Sequence, residues 1–181
     1  MNSNTKVLFT GKEMERALKR MAHEIVEYNR GIDDLAIIGI RTGGVPVAER
    51  LKNYIKEIEG REIPVGFLDI NLYRDDWSRL SHQPVVHKTE IPFSIDDMKV
   101  VLADDVIYTG RTIRAAMDAL ADLGRPKQIQ LAVLVDRGRR ELPIQPDFVG
   151  FRVRTSGKEH VNCYFKETSS RDEVLLETPS S

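Results

Sequence analysis

Hydrophobic residues recur along the chain in two patterns, which predict alternating α-helices and β-strands. Met14, Leu18, Met21 and Ile25 form one apolar stripe at helical spacing, and two later segments repeat this pattern. Shorter apolar or alternating runs between the helices are typical of strands. Helices are predicted at residues 11–28, 46–58 and 113–123. Strands are predicted at 35–40, 68–73, 100–103, 129–135, 147–153, 160–165 and 174–176.

The alternation of strands and helices indicates an α/β fold with a doubly wound, mostly parallel sheet, which binds ligands at the carboxyl ends of its strands. The length of 181 residues suits one domain, and we predict a single domain over residues 1–181. Residues 75–89 are polar and lack a clear period, so we expect a flexible lid loop at about 74–90. The short strands after Arg137 are expected to form a small hood over the carboxyl edge.

Composition narrows the function classes. Hydrophobic residues make up 41% of the chain and charged residues 30%, as in globular proteins. The net charge of −1 does not favour nucleic-acid binding by the whole surface, so any basic face has to be local. Cys163 is the only cysteine, which excludes an internal disulfide and a cysteine-cluster metal site. We find no secretion core and no run of membrane-spanning length, and expect a cytoplasmic protein without a membrane partner.

Residues 100–112, with the sequence VVLADDVIYTGRT, carry the clearest chemical signal. A buried strand is followed at once by two carboxylates, Asp104 and Asp105, then by a loop with Thr109 and Gly110, and then by a helix. The free N–H groups of such a loop and the helix dipole favour phosphate. The carboxylates can hold sugar hydroxyls, or Mg²⁺ through its waters. A phosphorylated sugar with Mg²⁺ would use both parts of this segment.

This segment resembles the phosphoribosyl pyrophosphate signature of type I phosphoribosyltransferases and implies their fold. A buried strand with a solvated turn is the plain alternative, and a receiver domain would carry its acidic pair near the chain start without the Thr-Gly-Arg-Thr loop. The resemblance implies that Asp104 and Asp105 hold the ribose hydroxyls and take the catalytic role, with Mg²⁺ held near them mainly through substrate and water. The implied 5′-phosphate loop consists of Val106, Ile107, Tyr108, Thr109, Gly110, Arg111 and Thr112.

Two further strand ends carry candidate residues. The glycine-rich turn at 39–44 is by itself typical of any strand-to-helix turn, but the resemblance makes it the pyrophosphate loop, with Arg41 and Thr42 as contacts. Gly43 stands where many members of the family have arginine, so no side-chain contact with pyrophosphate is expected there. The charged segment 135–143 follows another strand and is either a solvated turn or part of a binding site.

The resemblance is closer to one group, the bifunctional pyrimidine operon regulators and uracil phosphoribosyltransferases. Segments 16–24, 69–76 and 131–143 carry it, and it extends from about residue 18 to residue 161. It implies synthesis of UMP from uracil and phosphoribosyl pyrophosphate with Mg²⁺, UMP-dependent binding to a pyr mRNA leader, and a homodimer or larger homo-oligomer. The implied substrate contacts are Tyr73, Arg74, Asp75 and Asp76 at the lid root, Asp136 and Arg137 beside the base, and Val161 in the hood.

A basic surface is the candidate RNA site. Arg16, Arg20 and His23 share one face of the first predicted helix, with Lys19 beside them. Such a cluster is also typical of a solvated helix. The resemblance implies that RNA contacts Lys19, Arg20, His23, Arg139 and Arg140. Gln145 departs from it, since characterised relatives have a basic residue there.

Three functional hypotheses remain open at this level. The chain is a uracil phosphoribosyltransferase that also regulates RNA, a purine salvage phosphoribosyltransferase of the same fold, or a nucleotide-sensing RNA binder with little catalysis. The preferred base separates the first two, and RNA binding with and without UMP tests the third.

Overall fold

A computed structural model describes residues 4–75 and 88–179 and confirms an α/β fold. The helices are α1 (Gly11–Asn29), α2 (Gly44–Glu59) and α3 (Arg111–Leu123), and a short 3₁₀ turn covers Asn71–Tyr73. The strands are β1 (Asn4–Thr10), β2 (Leu35–Ile40), β3 (Val65–Leu68), β4 (Lys99–Ile107), β5 (Gln128–Asp136), β6 (Phe148–Arg152), β7 (His160–Tyr164) and β8 (Glu173–Thr178). Residues 76–87, which make up most of the predicted lid, lie outside the described residues.

A parallel five-stranded sheet in the order β3-β2-β4-β5-β6 forms the centre of the fold. Alternate strand residues face opposite sides, so Ile37 and Val101 pack with α1 and α2, whereas Ile38 and Leu102 pack with α3. Helices therefore cover both faces, which confirms the doubly wound arrangement. The chain changes direction across the sheet between β2 and β4, the position at which such folds bind ligands.

A second, antiparallel sheet in the order β1-β8-β7 forms the hood. Its first strand was not predicted, because residues 4–7 are exposed and their only partner strand comes from the far end of the chain. The prediction that all strands after Arg137 belong to the hood was wrong for β6. That strand pairs in parallel with β5 and forms the edge of the central sheet.

The predicted strand at 68–73 was also wrong. β3 ends at Leu68, and the backbone then turns, because the Asn71 N–H donates to Asp69 Oδ1 (3.0 Å) and the Tyr73 N–H donates to the Ile70 carbonyl (2.9 Å). An aspartate side chain that accepts from a backbone N–H two residues on favours a turn over continued pairing, whatever the alternation of apolar residues.

Helix α1 begins with the capping box that the Thr10 and Glu13 pattern indicates. The Glu13 N–H donates to Thr10 Oγ1 (3.4 Å), and the Thr10 N–H donates to Glu13 Oε2 (2.8 Å). The helix ends where Arg30 adopts a left-handed conformation before Gly31. The cap therefore fixes where the chain leaves the hood strand β1 and enters the helical layer.

Candidate active site

A cleft of about 450 Å³ lies at the carboxyl ends of β2 and β4, where the strand order reverses. Of the predicted site residues, Arg41, Thr42, Arg74, Asp104, Asp105, Val106 and Thr112 line this cleft, whereas residues 107–111, Asp136, Arg137 and Val161 do not. The cleft is lined by residues 40–43, 70–71, 74, 104–106 and Thr112. Ile70 and Asn71 also line the cleft and were not predicted, because the alternation of apolar residues at 68–73 predicts a strand and not a turn into the cleft.

Asp104 and Asp105 are the two acidic residues of β4. They lie inside the strand and not after it, since β4 continues to Ile107. The Asp105 N–H donates to Asp104 Oδ1 (2.9 Å), and the Val106 N–H donates to Asp105 Oδ1 (2.8 Å). Burial raises the pKa of the Asp104 carboxyl well above its ordinary value, and the Asp105 charge raises it further. Burial also raises the pKa of Asp105. The pair therefore favours a ligand that brings positive charge or hydroxyl donors.

The turn after β2 packs against this pair so closely that only glycine fits. A Cβ on Gly43 would lie 2.3 Å from the Asp105 carboxylate, and one on Gly44 would lie 2.2 Å from the Ala103 carbonyl oxygen. The Asp105 carboxylate thus occupies the space that a side chain at position 43 would need. A side chain at position 43 would therefore require the Asp105 carboxylate to move.

Arg41 is the predicted charged residue of this turn, and its peptide bond to Thr42 is cis. Its guanidinium donates from Nε to the Lys88 carbonyl (2.8 Å) and lies 3.5 Å from Glu90 Oε2. The backbone N–H of Arg41 donates to the Leu68 carbonyl (2.9 Å). The turn at the end of β2 is therefore tied to the end of β3 and to the C-terminal end of the predicted lid.

The predicted phosphate loop is divided between strand and turn. Val106 and Ile107 complete β4, while residues 108–110 form the turn into α3. Gly110 has a φ of +94°, which favours glycine, and directly precedes the first residue of the helix, Arg111. The first N–H groups of α3 thus point to the edge where the cleft lies, the arrangement that suits an anion.

Arg111 connects this turn to its neighbours. Its guanidinium binds Asp75 through Nη1 and donates from Nε to Glu141 Oε2 (2.8 Å). Asp75 also binds Arg114 (3.2 Å). Asp75 and Arg111, both predicted to contact substrate, lie together and form an ion pair with each other. Arg74 lies in the cleft wall and Tyr73 donates to Asp122 Oδ2 (2.7 Å), whereas Asp76 lies outside the described residues.

The predicted base side lies at the end of β5. Asp136 accepts from the Gly138 N–H (2.9 Å) and binds Arg140 Nη2 (2.8 Å). Arg137 is buried and contacts the ring of Tyr108, with its guanidinium carbon 4.0 Å from the ring centre. Val161 is buried in the hood, where it pairs with Leu176 on β8.

The predicted RNA residues have different surroundings. On α1, Lys19 binds Glu15 (2.6 Å) and His23 is exposed. Arg20 binds Glu24 (3.0 Å) and also donates to two backbone carbonyls of β6, at 3.1 and 2.6 Å. Arg20 thus holds the edge strand against α1, a structural role that its spacing on the helix did not reveal.

Arg139 and Arg140 also differ from each other. Arg139 is exposed, with its guanidinium beside Gly157. The Arg140 side chain is only 13% exposed and donates to the carbonyls of Tyr108 (3.0 Å) and Ile144 (2.8 Å) in addition to its ion pair with Asp136. Arg140 therefore braces the phosphate turn from behind, and RNA would reach Arg139 more readily.

Among residues 4–75 and 88–179, no group of three or more His, Cys, Asp or Glu side chains is placed to hold a metal ion. The expectation that Mg²⁺ is held near Asp104 and Asp105 mainly through substrate and water stays a prediction. Within the same residues, none of the helices combines the length and apolarity needed to cross a bilayer.

Comparison with known proteins gives the family. Residues 4–167 match the phosphoribosyl transferase domain family. The bifunctional protein PyrR of Pelotomaculum thermopropionicum is 60% identical over 163 residues, which cover 90% of each chain. The PyrR of Thermus thermophilus is 56% identical over 93% of each chain, and that of Deinococcus radiodurans is 52% identical over 99% of this chain and 98% of its own.

Solved structures agree on the fold at much lower identity. A hypoxanthine phosphoribosyltransferase of Trypanosoma cruzi in a ternary substrate complex matches with a TM-score of 0.75 at 19% identity, covering 96% of this chain and 95% of its own. A hypoxanthine-guanine phosphoribosyltransferase of Bacillus anthracis gives a TM-score of 0.70 at 17% identity, covering 99% of this chain and 100% of its own. Together with the described cleft, these matches show that the chain belongs to the phosphoribosyl transferase domain family and, within it, to the bifunctional PyrR proteins.

Proposed function

We propose that this protein transfers the phosphoribosyl group of phosphoribosyl pyrophosphate to uracil, forming UMP and pyrophosphate. One observation carries the proposal: the buried Asp104 and the partly buried Asp105 lie between the glycine turn at the end of β2 and the phosphate turn that opens α3. A ribose held by the pair can place its pyrophosphate toward the first turn and its 5′-phosphate toward the second. The identity with PyrR proteins supports uracil as the base.

The reaction exchanges one bond at the anomeric carbon of the ribose. The C1–O bond to pyrophosphate breaks and the oxygen keeps the electron pair, while a bond forms from a uracil ring nitrogen, whose proton passes to the leaving group or to water. Positive charge develops on the ribose in an oxocarbenium-like transition state. In this proposal Asp104 and Asp105 hold the ribose hydroxyls and stabilise that charge. In this proposal no residue of the chain acts as a nucleophile.

Backbone groups and a cation would stabilise the departing pyrophosphate. Mg²⁺, held near Asp104 and Asp105 mainly through substrate and water, would neutralise part of its charge. Both carboxyls have raised pKa values because they are buried with little compensating charge, which fits a nearby cation. Arg41, Thr42 and the lid-root residues from Tyr73 to Asp76 are proposed substrate contacts, and lid closure would exclude water.

Uracil should be preferred over hypoxanthine and guanine as acceptor. The reason is the high identity with PyrR proteins, whereas the likeness to purine enzymes is below 25% identity and shows the fold alone. The measurement is pyrophosphate release with each base at equal concentration, and then in competition. A purine that outcompetes uracil would establish the purine salvage alternative instead.

The second part of the proposal is regulation: UMP bound in the cleft strengthens binding of a pyr mRNA leader. The relatives are bifunctional by name. Lys19, His23 and Arg139 offer exposed basic or titratable groups outside the cleft. Arg20 and Arg140 extend this surface, although both guanidinium groups also hold the protein's own backbone. Coupling of UMP to RNA would link two sites, which typically amounts to about 1–3 kcal/mol.

Lys19→Ala combined with His23→Ala should weaken leader binding and leave uracil transfer nearly unchanged. If Lys19 contacts a phosphate, its loss should reduce the slope of the logarithm of the binding constant against the logarithm of the salt concentration by roughly one unit. Filter binding at two salt concentrations, with and without UMP, measures this. Arg20→Ala is kept as a separate variant, because it also releases β6 and should lower the melting temperature. Wild-type protein that binds the leader no better than unrelated RNA would refute the regulatory part.

An RNA binder with little catalysis remains the alternative to the bifunctional proposal. It predicts UMP-dependent leader binding without uracil-dependent pyrophosphate release. We further propose a single-domain cytoplasmic protein that assembles as a homodimer or larger homo-oligomer, which sedimentation at several protein concentrations would test.

A further inference from the structure

Arg137 joins three walls around the end of β5. Its Nε donates to Thr155 Oγ1 (3.0 Å), and its Nη2 donates to the carbonyls of Glu159 (2.6 Å) and Ser156 (3.4 Å). The face of the same guanidinium lies over the ring of Tyr108, at 4.0 Å from its centre. One side chain therefore connects the strand end, the phosphate turn and the loop that leads into β7.

Burial of the Arg137 guanidinium costs free energy, because a buried charge loses its hydration. Arg137 is 6% exposed, and no carboxylate among the described residues forms an ion pair with its guanidinium. Its partners are a hydroxyl, two carbonyls and an aromatic face, which hold the guanidinium in place without neutralising its charge. Lysine could not reproduce these contacts, since it lacks the planar fork that reaches three acceptors and stacks on a ring.

The sheet order and the proposed reaction together put Arg137 on the side from which the base approaches the ribose. β2 and β5 flank β4 on opposite sides. If pyrophosphate leaves toward the turn after β2, a base that attacks the opposite face of the ribose carbon approaches from the β5 side. The loop over that side, residues 153–159, contains no helix or strand and is held to the strand end by Arg137.

We propose that Arg137 is a positioning residue that sets the affinity for the base by holding the 155–159 loop over the end of β5. It acts through Thr155 and the two loop carbonyls, and its contact with Tyr108 aligns this wall with the phosphate turn. The inference rests on the proposed uracil transfer and deepens it. Arg137 touches the phosphate turn only through the face of the Tyr108 ring, whereas all its side-chain hydrogen bonds go to the 155–159 loop. Its loss should therefore weaken binding of the base much more than binding of the sugar phosphate.

Two ligands that differ in the base, UMP and ribose 5-phosphate, test this proposal. Arg137→Met should raise the KM for uracil and weaken UMP binding by roughly tenfold, the equivalent of about 1.4 kcal/mol. Binding of ribose 5-phosphate, which lacks the base, should stay within about twofold of wild type, because roughly 0.4 kcal/mol is the most that such a change represents. Calorimetric titration of both ligands gives the ratio of their affinities, which a general loss of structure would not change selectively.

Three further variants complete the experiment. Thr155→Val removes one acceptor at nearly constant volume and should change the same ratio in the same direction, by less. Arg137→Lys should behave like Arg137→Met, and it serves if the methionine variant does not fold. Lys127→Met removes an exposed cation just before the other end of β5 and should match wild type.

Equal weakening of UMP and ribose 5-phosphate by both Arg137 variants would overturn the proposal, and so would an unchanged ratio. Failure of the proposed function looks different: wild-type protein would then form no UMP from uracil and phosphoribosyl pyrophosphate.

Discussion

Asp104→Asn combined with Asp105→Asn should reduce uracil transfer on the order of a hundredfold or more, while the protein stays folded. Asparagine keeps the Oδ1 atoms that accept the Asp105 and Val106 N–H groups. It removes the negative charge that would stabilise the developing charge on the ribose. Steady-state rates at saturating uracil measure the loss, and full activity in the folded double variant would refute the site.

The same variant should be at least as stable as wild type at neutral pH. Burial raises the pKa values of both carboxyls above the ordinary value of 3.8. The folded state therefore binds more protons than the unfolded state above that pH, and its stability falls as the pH rises. Neutral asparagines remove this part of the pH dependence. Melting curves at mildly acidic and neutral pH would show a flatter profile for the variant.

Gly44→Ala should lower the free energy of unfolding by about 3 kcal/mol, the upper part of the usual range for overpacking in a core. The added Cβ would lie 2.2 Å from the Ala103 carbonyl oxygen, so the β2 turn has to move away from β4. The melting temperature should then fall by roughly 6–12 °C. Because this turn lines the cleft, the KM for phosphoribosyl pyrophosphate should rise as well.

Gly157→Ala is the matched control for that variant. Its new Cβ would meet only the mobile end of the Arg139 side chain, at 3.0 Å, which can move aside. Denaturant unfolding should place it within about 0.5 kcal/mol of wild type, as is usual for surface substitutions. Equal stability of Gly44→Ala and Gly157→Ala would contradict the contact between the β2 turn and β4.

The sequence predicted the central elements well because their signals are local. Helix α1 and strand β2 were located by periodicity and by an uninterrupted apolar run, and the 100–112 segment showed acids, turn and helix start in order. Prediction failed for β1, which was not expected, for the sheet to which the predicted strand β6 belongs, and for residues 68–73. In the first two cases pairing partners far along the chain decide the sheet, and in the third one aspartate side chain turns the backbone.

The sequence by itself therefore determined which residues are chemically able to act, since Asp104, Asp105 and the glycine turns lie at the ends of predicted strands. Only the tertiary structure decided what those residues meet. The strand order puts the β2 turn beside β4, so that Gly43 leaves room for Asp105. Arg20 holds a carbonyl 130 residues away. Local periodicity records which side of an element is buried, but contacts between distant residues depend on how the strands are ordered in the sheet.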